Sequence, residues 1–263
     1  MPGIAVQLWT VRDSFDRDPE GVLRRVAALG YAGFELVHAR TGGISHQRQA
    51  EICDDAGLEV AAMHCFFNEI DDELSSVIEA AHALGVRDVV CAWMDPRHRA
   101  NADSYRAAAE ILGHAGERMR RDGLQLGYHH HDFELRDVEG RRGIDYLWDV
   151  DPVLLKAEVD TYWVYVAGLD VAQYVASLGE RVVLLHCKDR MRDGERPLSD
   201  AGEGLARYNR EVGEGVVDFP SILAAAKHVQ WLITEQDFTD GDPFGAAATS
   251  LRNLRHMLAT MPT

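Results

Sequence analysis

The chain has 263 residues, room for one large domain or two small ones. Hydrophobic residues at 46% and charged residues at 27% exclude a disordered chain and leave apolar side chains for a sizeable core. Forty-three acidic against 27 basic residues give a formal net charge of −16, which argues against a protein built to grip nucleic-acid backbone. No apolar run is long enough to span a membrane, and the opening residues MPGIAVQLWTVRDS lack a basic-then-apolar leader, so a cytoplasmic location is expected. Cys53, Cys65, Cys91 and Cys187 form no CxxC pair, and the last three sit in apolar runs, as buried thiols of a reducing compartment do.

Along the chain, short apolar runs alternate with amphipathic stretches. A strand is predicted at residues 4–9. A helix over Pro19–Leu29 follows, with Asp18 as N-cap, Pro19 in the first turn and Gly30 at its end. Strand Gly33–Val37 and helix His46–Ala56 come next, then a strand at 59–64 and a helix at 71–84 closed by Gly85. Strand Asp88–Trp93 leads to a helix at 103–121, and strand Gln125–His129 to a helix at 144–150. A strand at 154–159 precedes helix Val171–Leu178. Strand Val182–Cys187 runs into a charged, glycine-containing insertion, residues 190–215, expected to lie over the site as a lid. A helix at 219–227, a strand at 231–235 and a helix at 243–257 end the pattern. Eight strand–helix units with apolar strands indicate a single (β/α)₈ barrel, a TIM barrel, over residues 1–263. The alternative, an open doubly wound sheet, needs a glycine-rich first turn. Here that turn reads Trp9, Thr10, Val11, Arg12.

In such a barrel, chemistry sits at the C-terminal ends of the strands. Those ends carry Glu35, His64, Trp93 with Asp95, the run His129–His130–His131, Asp160, His186 with Lys188, and Glu235. Taken singly, each has a structural explanation: Glu35 could pair with Arg12, and His64 could be a satisfied core histidine. Together, Asp160, His186, Glu235 and a fifth-strand histidine form a cluster of like charges that needs a cation or protons. Oxygen and imidazole donors without thiolate suit one divalent ion, Mn, Mg, Co or Zn. Lys188 is placed to stabilise a developing oxyanion.

At these residues the sequence resembles the xylose isomerase-like barrel superfamily, in particular its sugar phosphate isomerase/epimerase members. QLWTVRD, GYAGFEL, GYHHHDFE, KAEVDTYWV, LLHCKD, VGEGVVDFPSIL and WLITEQD carry the resemblance, which spans essentially the whole chain. It implies a metal site of Glu, Asp, His and Glu, in which Asp160, His186 and Glu235 match the last three. The first Glu has no direct match. His129 and His131 are both candidates, with His130 on the opposite face and Glu134 further along. His131 is taken as the ligand and His129 as the base. This departs from the family's two-carboxylate proton transfer. Trp163 stands where some relatives place a substrate-binding histidine. Glu214, in a glycine-flanked turn, either approaches substrate or caps the next helix.

The resemblance implies a metal-dependent isomerase, epimerase or dehydratase-type lyase acting on a keto sugar or keto-cyclitol. In this scheme His129 or Glu235 removes a proton, Lys188 and the metal hold the enediolate, and Glu35, His64, Trp163 and Glu214 contact substrate. A small polyhydroxylated substrate is the expected partner, with homo-oligomers also expected and neither nucleic acid nor membrane. The competing readings are a non-catalytic sugar-binding barrel and an apurinic-site endonuclease, the latter opposed by the −16 charge.

Overall fold

The structure, a computed structural model, describes residues 1–192, 204–239 and 241–261. The apolar runs form strands β1 (Gly3–Gln7), β2 (Gly33–Val37), β3 (Glu59–Phe66), β4 (Asp88–Trp93), β5 (Gln125–His129), β6 (Leu155–Asp160), β7 (Val182–Cys187) and β8 (Trp231–Thr234). They close a barrel in the order β1-β8-β7-β6-β5-β4-β3-β2, every neighbouring pair parallel. This is a (β/α)₈ TIM barrel, with helices α1 (Pro19–Leu29), α2 (His46–Ala56), α3 (Leu74–Leu84), α4 (Ala102–Arg121), α5 (Gly143–Leu147), α6 (Val171–Leu178), α7 (Phe219–Ala225) and α8 (Pro243–Thr260) following the strands.

Local chemistry sets the element ends. The Asp18 carboxylate accepts the Gly21 N–H, and Gly30 closes α1 in the left-handed region at φ 95°. Two sequence expectations change. The first strand stops at Gln7 because the Gln7 side chain accepts the Trp9 N–H and winds Leu8–Val11 into a 3-10 turn. The helix expected at 71–84 divides into Phe67–Asp72 and α3, since Glu73 at φ −130° leaves the helical region.

Most of the core lies between the strands and the surrounding helices. Inside the barrel, Ala5, Ala62, Val90, Leu184 and Ile233 pack with Trp231 beneath the polar strand ends. Gly33 is required here: a Cβ would meet the Glu59 carbonyl oxygen at 2.5 Å. All four cysteines are free and buried. Among the described residues no helix is long and apolar enough to cross a membrane.

Of the expected lid, only the ends can be placed, because residues 193–203 lie outside the described residues. Asp189–Arg190 pairs antiparallel with Asn209–Arg210. The buried Asp189 carboxylate accepts the backbone N–H groups of Arg190, Gly213, Gly215 and Val217, pinning the return of the loop beside β7.

Candidate active site

The C-terminal ends of the strands bring their polar residues to one place because register makes neighbours of them. Gln7 is level with Glu35, His129 with Glu158, and Asp160 with His186. Glu158 and Asp160, two apart on β6, share the inward face. Asp160 also starts a short helix, Thr161–Val166, its Oδ1 accepting the N–H groups of Tyr162 and Trp163.

Two sets of donors are close enough to share an ion. His64, His129, Glu158 and His186 form one, and Asp160, His186 and Glu235 the other; within each, the ligand atoms lie within 4.8 Å of one another. His186 joins them, its Nδ1 2.9 Å from Glu235 Oε2 and its Nε2 2.6 Å from Glu35 Oε2. His64 Nε2 lies 2.6 Å from Glu158 Oε2 and 3.0 Å from Glu35 Oε2. Gln7 Nε2 donates to the same Glu35 oxygen at 2.6 Å. The Lys188 ammonium lies 2.7 Å from Glu235, 3.1 Å from Asp237 and 3.3 Å from Asp160.

All these groups but the half-buried Asp237 are buried, so charge is retained only where an opposite charge outweighs desolvation. Burial opposes ionisation of Glu35, but His64 and His186 hold its carboxyl below the usual range. Burial likewise opposes Glu235, which Lys188 and His186 keep ionised. Burial works against the Lys188 ammonium, and Asp237, Glu235 and Asp160 overcome it, pushing its pKa up. His186 is also raised against burial, by Glu158 and Glu35, and His64 is raised to about 9 by Glu35 and Glu158. Burial and the Glu35 charge lift Glu158 to about 7, and burial lifts Asp160 to about 6 despite Lys188. His129 and His131 are driven the other way, first by burial and then by neighbouring cations, His186 for His129 and Lys188 for His131. Both imidazoles are neutral at pH 7, with lone pairs free to bind an ion or take a proton.

The donor set fits a divalent cation. Asp160 Oδ2, Glu35 Oε1 and Glu158 Oε1 are buried without a hydrogen bond, three oxygens with lone pairs to offer, and Asp160 Oδ2 faces His129 Nε2 at 3.8 Å.

The fifth strand departs from expectation. The expectation was His131 as the metal ligand and His129 as the base. Among the described residues, His129 belongs to an ion-sized group, with Nε2 3.8 Å from Asp160 Oδ2, and His131 belongs to neither. The physical reason is that β5 ends at His129. Beyond it the chain turns, the Glu134 carboxylate accepting the His131 N–H at 2.8 Å and the Tyr128 hydroxyl at 2.7 Å. Two-residue alternation therefore no longer governs where His131 points.

The other expected residues divide. Glu35 and His64 sit within the cluster, Glu35 as a partner of Gln7 and His186. Trp163 packs against His131 at 5.5 Å between ring centroids. Glu214 is exposed on the insertion's return, bonded to Asn253 Nδ2 at 3.2 Å, and does not line the cavity. Sequence reasoning missed Glu158, Gln7 and Asp237. A glutamate two before Asp160 on an apolar strand was a legible sign of the first. The other two show only through Glu35 and Lys188. A cavity of about 760 Å³ opens above, reaching Gln7, His64, His129, His131, Lys188 and Glu235.

The xylose isomerase-like TIM barrel profile matches residues 23–257. The chain belongs to this family. The chain is 28% identical to the rhizopine catabolism protein MocC of Rhizobium meliloti, over 93% of this chain and 83% of that one. It is 24% identical to an inosose dehydratase of Lactiplantibacillus plantarum, over 76% and 70%. A solved sugar phosphate isomerase/epimerase from Parabacteroides distasonis superimposes with a TM-score of 0.78 at 23% identity, covering 97% of this chain and 94% of that one. This last likeness is one of fold.

Proposed function

We propose that this family member is a divalent-metal-dependent enzyme on a keto sugar or keto-cyclitol, removing a proton beside the carbonyl and eliminating a neighbouring hydroxyl as water. The observation that carries the reading is the meeting of Asp160, His186 and Glu235 around one ion-sized space, with Lys188 beside it, under an open cavity. Elimination is preferred over epimerisation because the inosose dehydratase is among the sequence relatives.

His129, Asp160, His186 and Glu235 would hold the ion, one Mn, Mg, Co or Zn. When bound, such a cation polarises a carbonyl and an adjacent hydroxyl, making the neighbouring C–H more acidic. His131 lines the cavity with its ring 5.0 Å from that of His129, which places it to take that proton. Lys188 is protonated and donates to the oxygen that gains negative charge as the C–H bond breaks. His131, now protonated, returns its proton to the departing hydroxyl, so water leaves and the base is regenerated. Glu35, held by Gln7, fixes His64 and His186.

The test is proton NMR of a keto-inositol and a ketohexose in deuterium oxide, with protein stripped of metal and reloaded with Mn²⁺ or Mg²⁺. Loss of the C–H signal beside the carbonyl, followed by water loss, is expected only with the reloaded protein. Tight sugar binding without exchange for any metal would favour a non-catalytic barrel.

A further inference from the structure

The polar cluster occupies one part of a cavity that is larger than a single ring requires. A six-membered polyol of about a dozen heavy atoms fills roughly 200–300 Å³, at somewhat under the 30 Å³ share of a liquid water for each. The cavity measures about 760 Å³. Much of its remaining wall follows the ends of β3 and β4, through Phe66, Phe67, Asn68, Trp93 and Asp95.

At that wall the β3–β4 register shifts. Cys65 is level with Cys91 but Phe66 with Trp93, so Ala92 and Trp93 together oppose a single residue of β3. The extra residue turns Trp93 to the side that Phe66 faces, as a bulge does when it re-aims a side chain beside a site. The result is two neighbouring aromatic side chains, 42% exposed at Trp93 and 37% at Phe66. Among the described residues no other Phe or Trp is left as bare. Trp93 is held in place: His131 and Phe133 meet it edge-on at 5.2 and 5.3 Å, and the Arg99 guanidinium lies 5.5 Å from its centroid. A fixed apolar platform at the rim of a site is covered favourably by a ligand face of matching shape.

We propose that Phe66 and Trp93 form a subsite for a second ring, so that the substrate is a keto sugar or keto-cyclitol joined through oxygen to a ring with a flat apolar face. That face is an aryl ring or the C–H side of a pyranose. Asn68 and Asp95 line the same part of the cavity, Asp95 also accepting the Arg97 N–H at 3.0 Å. The inference rests on the proposed function and names its substrate class.

Phenyl and methyl β-D-glucopyranoside differ only in the group on the oxygen, and cellobiose replaces the phenyl ring with a sugar. Calorimetric titration of the full chain should give about tenfold tighter binding of the phenyl glucoside or cellobiose than of the methyl glucoside, the scale of one stacked ring. Which of the two binds tighter identifies the ring. The preference should collapse toward one in Trp93→Ala, fall in Phe66→Ser and largely survive in Trp93→Phe. If Trp93→Ala fails to fold by circular dichroism, Phe66→Ser decides. No detectable binding of either ring-bearing probe, no preference in the wild type, or a preference untouched by both variants overturns the proposal. So does a dimer that Trp93→Ala splits, which would make the platform a subunit contact. Turnover of a keto-cyclitol without ring preference sinks this inference alone. A ring preference without any C–H exchange sinks the proposed function alone.

Discussion

Replacing Lys188 by Met tests whether the cluster is balanced as described. The ammonium has carboxylate oxygens at 2.7, 3.1 and 3.3 Å from Glu235, Asp237 and Asp160. At an effective dielectric near 20, each such pair is worth about 5–6 kcal/mol gross, and most of that is offset by the cost of removing the charges from water. Methionine matches the side-chain length but leaves the buried Asp160 and Glu235 and the half-buried Asp237 without their cation. Breaking a buried pair in this way costs about 3–5 kcal/mol. For a chain of this size, at about 2–4 °C per kcal/mol, the melting temperature should fall by about 6–20 °C. The assay is thermal unfolding at pH 7.5, with metal-free protein and with added Mn²⁺. Because the freed carboxylates attract a cation more strongly, Mn²⁺ should stabilise Lys188→Met by more degrees than it stabilises the wild type. A loss under 1 kcal/mol, or equal stabilisation of both proteins by Mn²⁺, would refute the argument.

His129→Ala should empty the metal site, while His131→Ala should keep the metal and lose about 10²–10⁴-fold in turnover; metal analysis of both variants checks this, and the reverse pattern restores the assignment read from sequence. Asp88, buried on the face of β4 that Val90 and Ala92 share, has its pKa lifted from 3.8 to about 6 by burial, which Arg87 only partly opposes. The folded chain therefore holds that proton more tightly than the unfolded one, so its contribution is present below pH 3.8 and is lost as pH rises through 6, at a cost of about 3 kcal/mol. Asp88→Asn should be the more stable protein at pH 7, with the difference shrinking toward pH 4 in parallel denaturant titrations. Gly33→Ala, whose Cβ would press on the Glu59 carbonyl, should lose about 1–3 kcal/mol in the same titrations.

The barrel was legible in the sequence because strands buried on both faces must be apolar throughout, and capping residues such as Asp18 and Gly30 act through their immediate neighbours. The convergence of Asp160, His186 and Glu235 was legible for a related reason: a carboxylate or imidazole ending an apolar strand has only the mouth of the barrel to face. Everything set by register was not. Glu158 matters because it is level with His129, and Trp93 is presented beside Phe66 because Ala92 is the extra residue of a bulge. Neither fact is visible along one strand. The proposed exchange of roles between His129 and His131 has the same origin. Two-residue periodicity holds only while the backbone stays extended, and Glu134, by capturing the His131 N–H, ends that stretch one residue after His129. Local physics thus determined which residues reach the mouth, and only the closed sheet decided which of them meet there.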